Sequence, residues 1–319
     1  MNLSYIIAVL LAFTCFISAS ETIDYYSAEN IRMFAEYLYQ ERDYTRSAKE
    51  YERYLLVSQQ KDNALYKIGL CYRHAGDTQK AVDSFQRLTK EYPQSDLKFS
   101  ASYQIGYSYL LSGRYKESIN HIEQTLNGVE NKNERQKLEI LLALNYLNQR
   151  QWRSADKLLN STPPYSKINS PPFLNSKTNS PPLVKGGRGD LKSGEPEDKA
   201  IEQIMLELRD RSREGISLER KSRLLASLTS TILPGSGKMY CKQYGNGIFS
   251  FIITGTTGLL AFDGFHENGV RSVRGWIFGS LFTVFYAGNI YGSGISSLAY
   301  NRQAESDILM RLPSLPDDW

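Results

Sequence analysis

The sequence predicts an all-α protein in which a solenoid of helical hairpins is followed by a small transmembrane helical hairpin. Two observations predict this fold. Small and large apolar residues recur every 34 to 37 residues over the first half of the chain, which is the length of one helical pair in a repeat protein. Two long stretches without a charged residue lie near the carboxyl end, and each is long enough for a helix that crosses a bilayer.

The composition argues against several classes of function. A chain of 319 residues has room for two or three modules. The net charge of +4 is small, and no run of Lys and Arg indicates a nucleic-acid surface. Cys15, Cys71 and Cys241 have neither disulfide nor metal-ligand spacing. We therefore expect no catalytic residue, no metal, no cofactor and no enzymatic activity. The histidines show no ligand spacing, and we expect His74 and His121 on helix surfaces and His266 in an interfacial loop.

Residues 1–20 have the pattern of an export signal. Tyr5–Ile17 is an apolar run of 13 residues, and the small residues Ser18–Ser20 follow it. The run is too short to span a bilayer, which takes about 20 residues. This pattern predicts a cleavable signal peptide. An uncleaved anchor is the alternative, because no Lys or Arg precedes the run.

Four repeats fill residues 28–162. Six places recur at an offset of 37 residues between the second, third and fourth units and of 34 between the first and second. The first and fourth places carry small residues, which predicts that two helices approach closely there. Each unit therefore reads as a helix, a tight turn such as Ala75–Asp77, and a second helix. In the second unit the six places are Gly69, Tyr72, Gly76, Ala81, Phe85 and Leu88.

The second unit carries a family resemblance. Its stretch ALYKIGLCYRHAGDTQKAVDSFQRLTKEYP resembles the tetratricopeptide repeat family, although Ala35 and Ala143 replace the first-place glycine in the outer units. The resemblance implies a right-handed superhelix of helical pairs whose concave face binds an extended peptide or a partner helix. It places the partner-binding positions at Arg32, Glu36, Tyr39, Tyr66, Arg73, Tyr103, Tyr107, Ile140 and Leu144.

A proline-rich segment, residues 163–198, follows the repeats. It holds seven of the eleven prolines of the chain. Because proline lacks the N–H that helices and sheets need, the segment is predicted to be a disordered linker. After it, residues 199–223 predict a charged juxtamembrane helix. The apolar face of that helix carries Ile201, Ile204, Met205 and Leu208.

Residues 224–305 predict a membrane module, and residues 306–319 a tail. The crossings are expected near 243–262 and 276–299, with the charged loop Asp263–Arg274 between them. A buried soluble hairpin is the alternative, because glycine and threonine dilute both apolar runs. If the repeats are exported, two crossings put Lys and Arg on the less usual side of the membrane. A third crossing by residues 224–237 would correct this but is short. We favour two crossings with a re-entrant or interfacial segment.

The turn LPGSGKMY, residues 233–240, contains GSGK but is not a phosphate loop. That loop requires G-x-x-x-x-G-K-[ST], and Ile232 and Met239 stand where the first glycine and the hydroxyl residue belong. We therefore expect no nucleotide. Instead, the turn residues are predicted to open the first crossing: Pro234, Gly235, Gly237 and Tyr240.

Three residues of the second crossing are predicted to pack helices together. Gly288 and Gly292 are four residues apart, a spacing that lets helix backbones approach closely in lipid, and Asn289 is expected to hydrogen-bond to the neighbouring crossing. The whole module resembles the C-terminal part of uncharacterised bacterial envelope proteins, through its Pro-Gly-x-Gly-x-x-Tyr turn and the phrase Gly-Asn-Ile-Tyr-Gly at residues 288–292.

Taken together, these features predict a non-enzymatic, membrane-anchored scaffold or adaptor of the bacterial cell envelope. The anchor is expected in the inner membrane and the repeats on the periplasmic or other extracytoplasmic side. The expected partners are a protein or peptide in the groove and the lipid bilayer, with no nucleic acid, and formation of a homo-oligomer stays open. The alternative is a membrane-embedded factor that assists insertion, secretion or transport and uses the repeats as a client receptor.

Overall fold

The computed structural model describes residues 27–161, 195–316 and 319. Within these residues it has thirteen α-helices, one short 3-10 helix and no β-strand. Consecutive helical hairpins followed by an apolar helix near the carboxyl end confirm the predicted all-α fold. The predicted signal peptide, residues 1–20, lies outside the described residues, as does most of the predicted linker, residues 163–198.

Eight helices follow one another in residues 28–161, two to each predicted repeat. They are α1 (Ala28–Gln40), α2 (Tyr44–Val57), α3 (Lys61–His74), α4 (Thr78–Glu91), α5 (Lys98–Leu111), α6 (Tyr115–Leu126), α7 (Lys132–Asn148) and α8 (Trp152–Ser161).

The chain passes from the first to the second helix of each pair through a residue in the left-handed region. These residues are Arg42, Gly76, Gly113 and Arg150, with φ of +61°, +80°, +74° and +60°. They are the third of the six places found in the sequence. Glycine adopts this conformation readily, whereas arginine does so at a cost of about 1 kcal/mol. The backbone thus repeats even where the side chain does not.

Aspartates cap the second helices of the first two pairs. The Asp43 carboxylate accepts from the backbone N–H of Arg46 at 3.3 Å, and Asp77 accepts from that of Lys80 at 3.2 Å. Each such cap stabilises its helix by about 1 kcal/mol. Arg114 stands at the same place in the third pair, and α6 has no side-chain cap.

Small residues at the first and fourth places bring the paired helices together. A β-carbon at Gly69 would lie 2.5 Å from the ring of Phe85, and one at Gly106 would lie 3.0 Å from Ile122. At the fourth place, Ser118 donates through its hydroxyl to the carbonyl of Gly106 at 2.8 Å. The hydroxyl therefore joins two helices that only small residues allow to come so close.

His121 is not the simple surface residue that the sequence predicts. Its Nε2 lies 2.8 Å from the carbonyl oxygen of Ser102. Burial lowers the pKa of the His121 ring, because the charged form loses its hydration. The sequence predicted His121 on a helix surface, but α5 packs against it through Ser102. His74 is also packed, with its ring stacked on Tyr44 at 4.9 Å.

The described residues form two compact units, which are separated inside α7 between Asn145 and Tyr146. The first unit comprises residues 27–145 and Trp319, and the second comprises the described part of Tyr146–Pro316.

In the second unit, α9 (Glu195–Ser217) packs against α8. Ile201, Met205 and Leu208 of its apolar face are buried, and Ile204 is partly so. The helix begins before residue 199, so residues 195–198 of the predicted linker range are helical.

The rest of the second unit is built from four helices and a short 3-10 turn. These are α10 (Arg223–Ile232), α11 (Ser236–Tyr240), α12 (Tyr244–Asn268), the 3-10 helix Gly269–Arg271 and α13 (Val273–Leu309). The long helix α13 packs against both α12 and α10.

The charged segment Asp263–Arg274 is mostly helical rather than a loop. Helix α12 continues to Asn268, where Gly269 ends it with φ of +60°. His266 therefore lies on a helix, with its ring 5.9 Å from that of Phe262. Exposed charged side chains do not interrupt backbone hydrogen bonds, so charge alone marked the end of the apolar run but not of the helix.

Candidate functional site

The predicted groove residues of the first repeat border a charged cavity of about 430 Å³. Arg32 and Glu36 lie one helical turn apart on α1 and line it together with residues of α2 and α3. The full lining is Glu29, Arg32, Glu36, Tyr51, Tyr54, Gln60, Asn63 and Lys67.

Glu36 is the centre of the polar contacts in this cavity. Its carboxylate accepts from the Tyr51 hydroxyl at 3.0 Å and lies 3.5 Å from the ammonium of Lys67 and 3.8 Å from Arg32. Arg32 also pairs with Glu29 at 2.7 Å, and its hydrogen bond holds the pKa of that carboxyl below its ordinary value. Burial, together with the nearby Glu36 carboxylate, raises the pKa of Tyr51 above its ordinary value. The cavity can therefore receive polar groups of either charge.

Tyr39 lies at the carboxyl end of α1, within an aromatic cluster. Its ring is 5.3 Å from Tyr44 and 5.6 Å from His74, in both cases edge to face. The sequence placed it in the groove, and the structure shows that it also packs between the first two repeats.

A second cluster joins the groove residues of the second and third repeats. The Arg73 guanidinium lies over the Tyr107 ring at 5.1 Å, and Tyr107 lies 6.2 Å from Tyr103. Tyr66 is half-buried and packs against Phe85 at 5.7 Å. Tyr103 is fully buried, and its hydroxyl has no hydrogen-bond partner among the described residues. Burial raises the pKa of Tyr103.

Trp319 completes this cluster, and no sequence pattern indicated it. Its ring lies edge-on to Tyr103 at 6.4 Å, and the Lys137 ammonium is 5.6 Å from the ring. The Gln104 side-chain amide donates to the main-chain oxygen of Trp319 at 3.2 Å. Only 5% of the tryptophan is exposed. A single aromatic residue far from the repeats carries no periodic signal that could have predicted this position.

Ile140 and Leu144, the groove positions predicted for the fourth repeat, are buried. In this conformation a partner has no access to them. The predicted groove residues that remain at least partly accessible are Arg32, Glu36, Tyr39, Tyr66 and Tyr107.

The turn that opens the predicted membrane module is closely packed. Gly235 has φ of +91°, and a β-carbon there would overlap the carbonyl oxygen of Gly247. A β-carbon at Gly237 would overlap the carbonyl oxygen of Ala226. Both glycines are therefore required by space, and Gly235 also by its backbone conformation.

One serine ties the turn to the neighbouring helices. The Ser230 hydroxyl accepts from the Gly237 N–H at 2.9 Å and lies 2.7 Å from the Ser293 hydroxyl on α13. The Tyr240 hydroxyl accepts from the Ser222 N–H at 3.3 Å. Pro234 is the second residue after the end of α10 at Ile232, next to the C-cap residue Leu233.

The three packing residues of the second crossing behave differently from the prediction. Gly288 is exposed, and a β-carbon there would meet nothing within 4 Å. Asn289 is buried, but neither of its amide atoms has a hydrogen-bond partner among the described residues. A β-carbon at Gly292 would make an ordinary contact with the Lys238 side chain at 3.6 Å. The close helix contacts use other glycines, because α13 turns a different face toward α10 and α12. One of them is Gly264, which faces Gly275.

No group of three His, Cys, Asp or Glu side chains that could hold a metal ion occurs among the described residues. Cys71 is buried, and its pKa is raised to about 11, chiefly by burial. A thiol with this pKa is a poor nucleophile at neutral pH.

One segment of the described chain, Tyr244–Arg271, is long and apolar enough to cross a membrane. Only 22% of its most apolar stretch of 18 residues is buried, whereas the core helix of a soluble protein is mostly buried. Helix α13 contains the second predicted crossing, near 276–299. It is long enough to cross a membrane but is less apolar than Tyr244–Arg271, because glycine, tyrosine, serine and asparagine lie between its apolar residues.

Comparison with known proteins supports the repeats alone. Residues 63–95, which comprise most of α3, all of α4 and the turn after it, match the tetratricopeptide repeat family. A search of curated proteins found no match for the chain. The matched segment lies in the second of the four predicted repeats and has the expected helix, turn and helix, with Gly76 of the turn in the left-handed region. The chain therefore contains a tetratricopeptide repeat, a module that generally mediates interactions between proteins and not catalysis.

Proposed function

We propose that this protein is a membrane-anchored adaptor of the cell envelope whose repeats bind a protein partner on the extracytoplasmic side. The partner-binding surface is the groove with Arg32, Glu36 and Tyr39 at one end and Tyr66 and Tyr107 in the middle, where the buried Arg73 and Tyr103 support them.

The observation that carries the anchor is the distribution of side chains in α10, α12 and α13. The large apolar side chains of these helices point outward, and small or polar residues fill the spaces between them. Exposed are Leu224, Leu228, Ile232, Ile248, Phe249, Ile252, Leu259, Phe262, Ile277, Val284, Phe285, Tyr291 and Ile295. Buried are Ser230, Thr254, Thr257, Asn289, Ser293, Ser296 and Ser297.

This arrangement is the reverse of a water-soluble bundle. In water, exposed large apolar residues cost free energy and form patches that associate. In lipid, apolar residues belong outside, and small residues and hydroxyls join the helices. The distribution therefore supports a bilayer, rather than water, around these helices.

The two ends of the hairpin have the chemistry of membrane interfaces. At one end, the Lys221 ammonium lies 4.9 Å from the Tyr240 ring, and Lys242 lies 5.6 Å from Tyr300. At the other, Arg274 pairs with Asp263 at 3.2 Å. Cations and aromatic rings are enriched where the hydrocarbon ends. The apolar stretch 243–262 would span about 30 Å as a helix, which matches a hydrocarbon layer.

The short helix α10 fits a re-entrant segment better than a third crossing. Its 10 residues span about 15 Å, half of a hydrocarbon layer. The chain then reverses through Gly235 and Gly237 into α12. Irregular backbone at membrane depth needs partners within the protein, and Ser230 provides one for the Gly237 N–H. Two crossings would then put Lys242 on the same side as the repeats.

A lysine at the middle of the apolar surface should prevent anchoring. Ile252 is 57% exposed near the centre of the apolar stretch of α12, and Ile252→Lys would place a charge at mid-membrane. Such a charge costs about 3 kcal/mol in helix insertion. We expect the variant to be depleted from the membrane fraction that alkaline carbonate washing leaves, as measured by immunoblotting of the full-length protein.

The matched control is Val270→Lys, which adds the same charge at a residue 81% exposed beyond the end of α12. Its membrane retention should equal that of the wild type. The proposal would be wrong if the wild-type protein were soluble without detergent, or if Ile252→Lys remained in the membrane as fully as Val270→Lys.

Labelling of single cysteines tests the two-crossing topology. Cys241 itself is only 2% exposed, so the native cysteines are first replaced by alanine and one new cysteine is placed at Lys242 or Glu267, both exposed. We expect a membrane-impermeant thiol reagent to label Lys242→Cys in intact cells and Glu267→Cys only after lysis. If only Glu267→Cys were labelled in intact cells, the topology would be the opposite of the one proposed, with Glu267 outside and Lys242 inside.

A membrane-embedded insertion or transport factor is the second candidate. It rests on the buried polar residues between the helices, of which Asn289 has no hydrogen-bond partner among the described residues. Purification from detergent separates the two candidates, because an adaptor should retain one partner in a fixed ratio, whereas a client receptor should retain many proteins in small amounts.

A further inference from the structure

Trp319 behaves like a bound ligand of the first compact unit, which contains the repeats. By its contacts it belongs with residues 27–145, although in the sequence it follows the second compact unit. Three side chains from two repeats hold it: Tyr103 and Gln104 on α5 and Lys137 on α7. Tyr103 occupies a position predicted to contact a partner.

We propose that this pocket accepts a tryptophan side chain from an acidic segment of the partner protein, and that Trp319 fills the pocket until the partner displaces it. The proposal rests on the proposed function of the groove as a protein-binding surface, and it specifies the chemistry of the partner.

The pocket contacts select an indole over other side chains. A buried tryptophan removes a large apolar surface from water, and the edge-to-face contact with Tyr103 adds to this. Lys137 lies within the range of a cation–π contact, which is strongest for tryptophan. An aliphatic side chain would lose the cation–π contact, and a cationic side chain would be repelled by Lys137.

The contact with Gln104 is made to the main chain and not to the indole. The Gln104 side-chain amide donates to the main-chain oxygen of Trp319 at 3.2 Å, so this contact does not depend on the side chain that fills the pocket. The indole contacts then supply specificity. This division of roles is common in the binding of extended peptides.

The charge near the pocket favours acidic residues beside the tryptophan. Lys137 lies on Trp319 and Arg73 lies on Tyr107, the neighbour of Tyr103. In the sequence, two aspartates, Asp317 and Asp318, come directly before the tryptophan. A partner segment with the same order of charges would gain attraction and speed of association.

The test uses full-length protein in detergent and a peptide with the sequence of residues 311–319, labelled with fluorescein at its amino end. Fluorescence anisotropy gives the dissociation constant for the wild type and for Trp319→Ala. We expect Trp319→Ala to bind the peptide at least about tenfold more tightly, because a tethered competitor acts at a high effective concentration. Met310→Ala is the control, because Met310 is exposed and lies just before the segment 311–319. This variant should bind the peptide like the wild type.

Two further variants make the test specific. A peptide with alanine in place of its tryptophan should not bind Trp319→Ala, and Lys137→Gln in the Trp319→Ala background should weaken binding several-fold. Circular dichroism checks folding. If Trp319→Ala has lost its helical signal, Trp319→Phe takes its place and should bind at least threefold more tightly than the wild type.

The proposal of a tryptophan pocket would be wrong if the wild type and Trp319→Ala bound the peptide with equal affinity. It would also be wrong if the peptide with alanine in place of tryptophan bound to Trp319→Ala. Either result leaves the membrane anchor untouched, since anchoring is measured by carbonate washing. Conversely, a soluble wild-type protein would overturn the anchor, and the peptide measurement would still be valid.

Discussion

Gly237→Ala should unfold the turn between α10 and α11. A methyl group there would overlap the carbonyl oxygen of Ala226 and lie 2.6 Å from the Ser230 hydroxyl. Helix α10 has no room to move away, because Ser230 also holds Ser293 of α13 at 2.7 Å. Relief of the overlap therefore breaks both hydrogen bonds of Ser230. We expect the free energy of unfolding to fall by about 3 kcal/mol or more, which is at the upper end of overpacking effects.

The effect is measurable as a fall in the thermal unfolding temperature of the full-length protein in detergent, and as new protease cleavage near residue 237. Gly245→Ala is the matched control, because Gly245 lies in the first turn of α12 and a methyl group there would meet nothing within 4 Å. Alanine favours helix by up to about 1 kcal/mol relative to glycine, so the control should be as stable as the wild type or slightly more so. Equal unfolding temperatures of the two variants would show that the close approach at Gly237 is not needed.

Gly69→Ala should destabilise the second repeat by about 2–4 kcal/mol. The new methyl group would lie 2.5 Å from the ring of Phe85, which is fully buried in the core between α3 and α4. A packed interior resists such an addition, because the ring must move against its own neighbours. Hydrogen–deuterium exchange of α3 and α4 in the full-length protein reports this loss as faster local opening.

A smaller residue at position 85 should compensate for the added methyl group. The fourth repeat has Ala143 and Leu159 at the places that Gly69 and Phe85 occupy in the second, so alanine is compatible with leucine there. We expect Gly69→Ala with Phe85→Leu to be at least 1 kcal/mol more stable than the sum of the single effects, a coupling typical of residues in contact. If the effects of Gly69→Ala and Phe85→Leu on stability were additive, contact with the Phe85 ring would not be the reason why position 69 needs glycine.

The repeats could be predicted from the sequence because the constraints that shape them are local and recur. The places of Gly69 and Gly106 need small residues for close packing, and the places of Gly76 and Gly113 take the left-handed conformation. Even Arg42 and Arg150 have this conformation, so the period is visible in the backbone where the residue differs.

Other features depend on contacts that no periodic pattern encodes. The position of Trp319 follows from a fold that brings it to Tyr103, at a separation of more than two hundred residues. The roles expected of Gly288 and Asn289 depended on the face that α13 turns toward its neighbours, and this face is set by tertiary packing. Similarly, α12 could extend to Asn268 because an apolar run marks hydrocarbon rather than the length of a helix.

The reversed distribution of side chains in α10, α12 and α13 has a consequence for how the two parts of this chain can change over evolutionary time. In the repeats, substitutions should accumulate on the outside while the interior is conserved for size and hydrophobicity. In the proposed anchor, one outward leucine, isoleucine or phenylalanine can replace another freely. The residues that must stay are the serines and glycines between the helices, such as Ser230, Gly237 and Gly264, so the most slowly changing positions of the anchor should be its smallest ones.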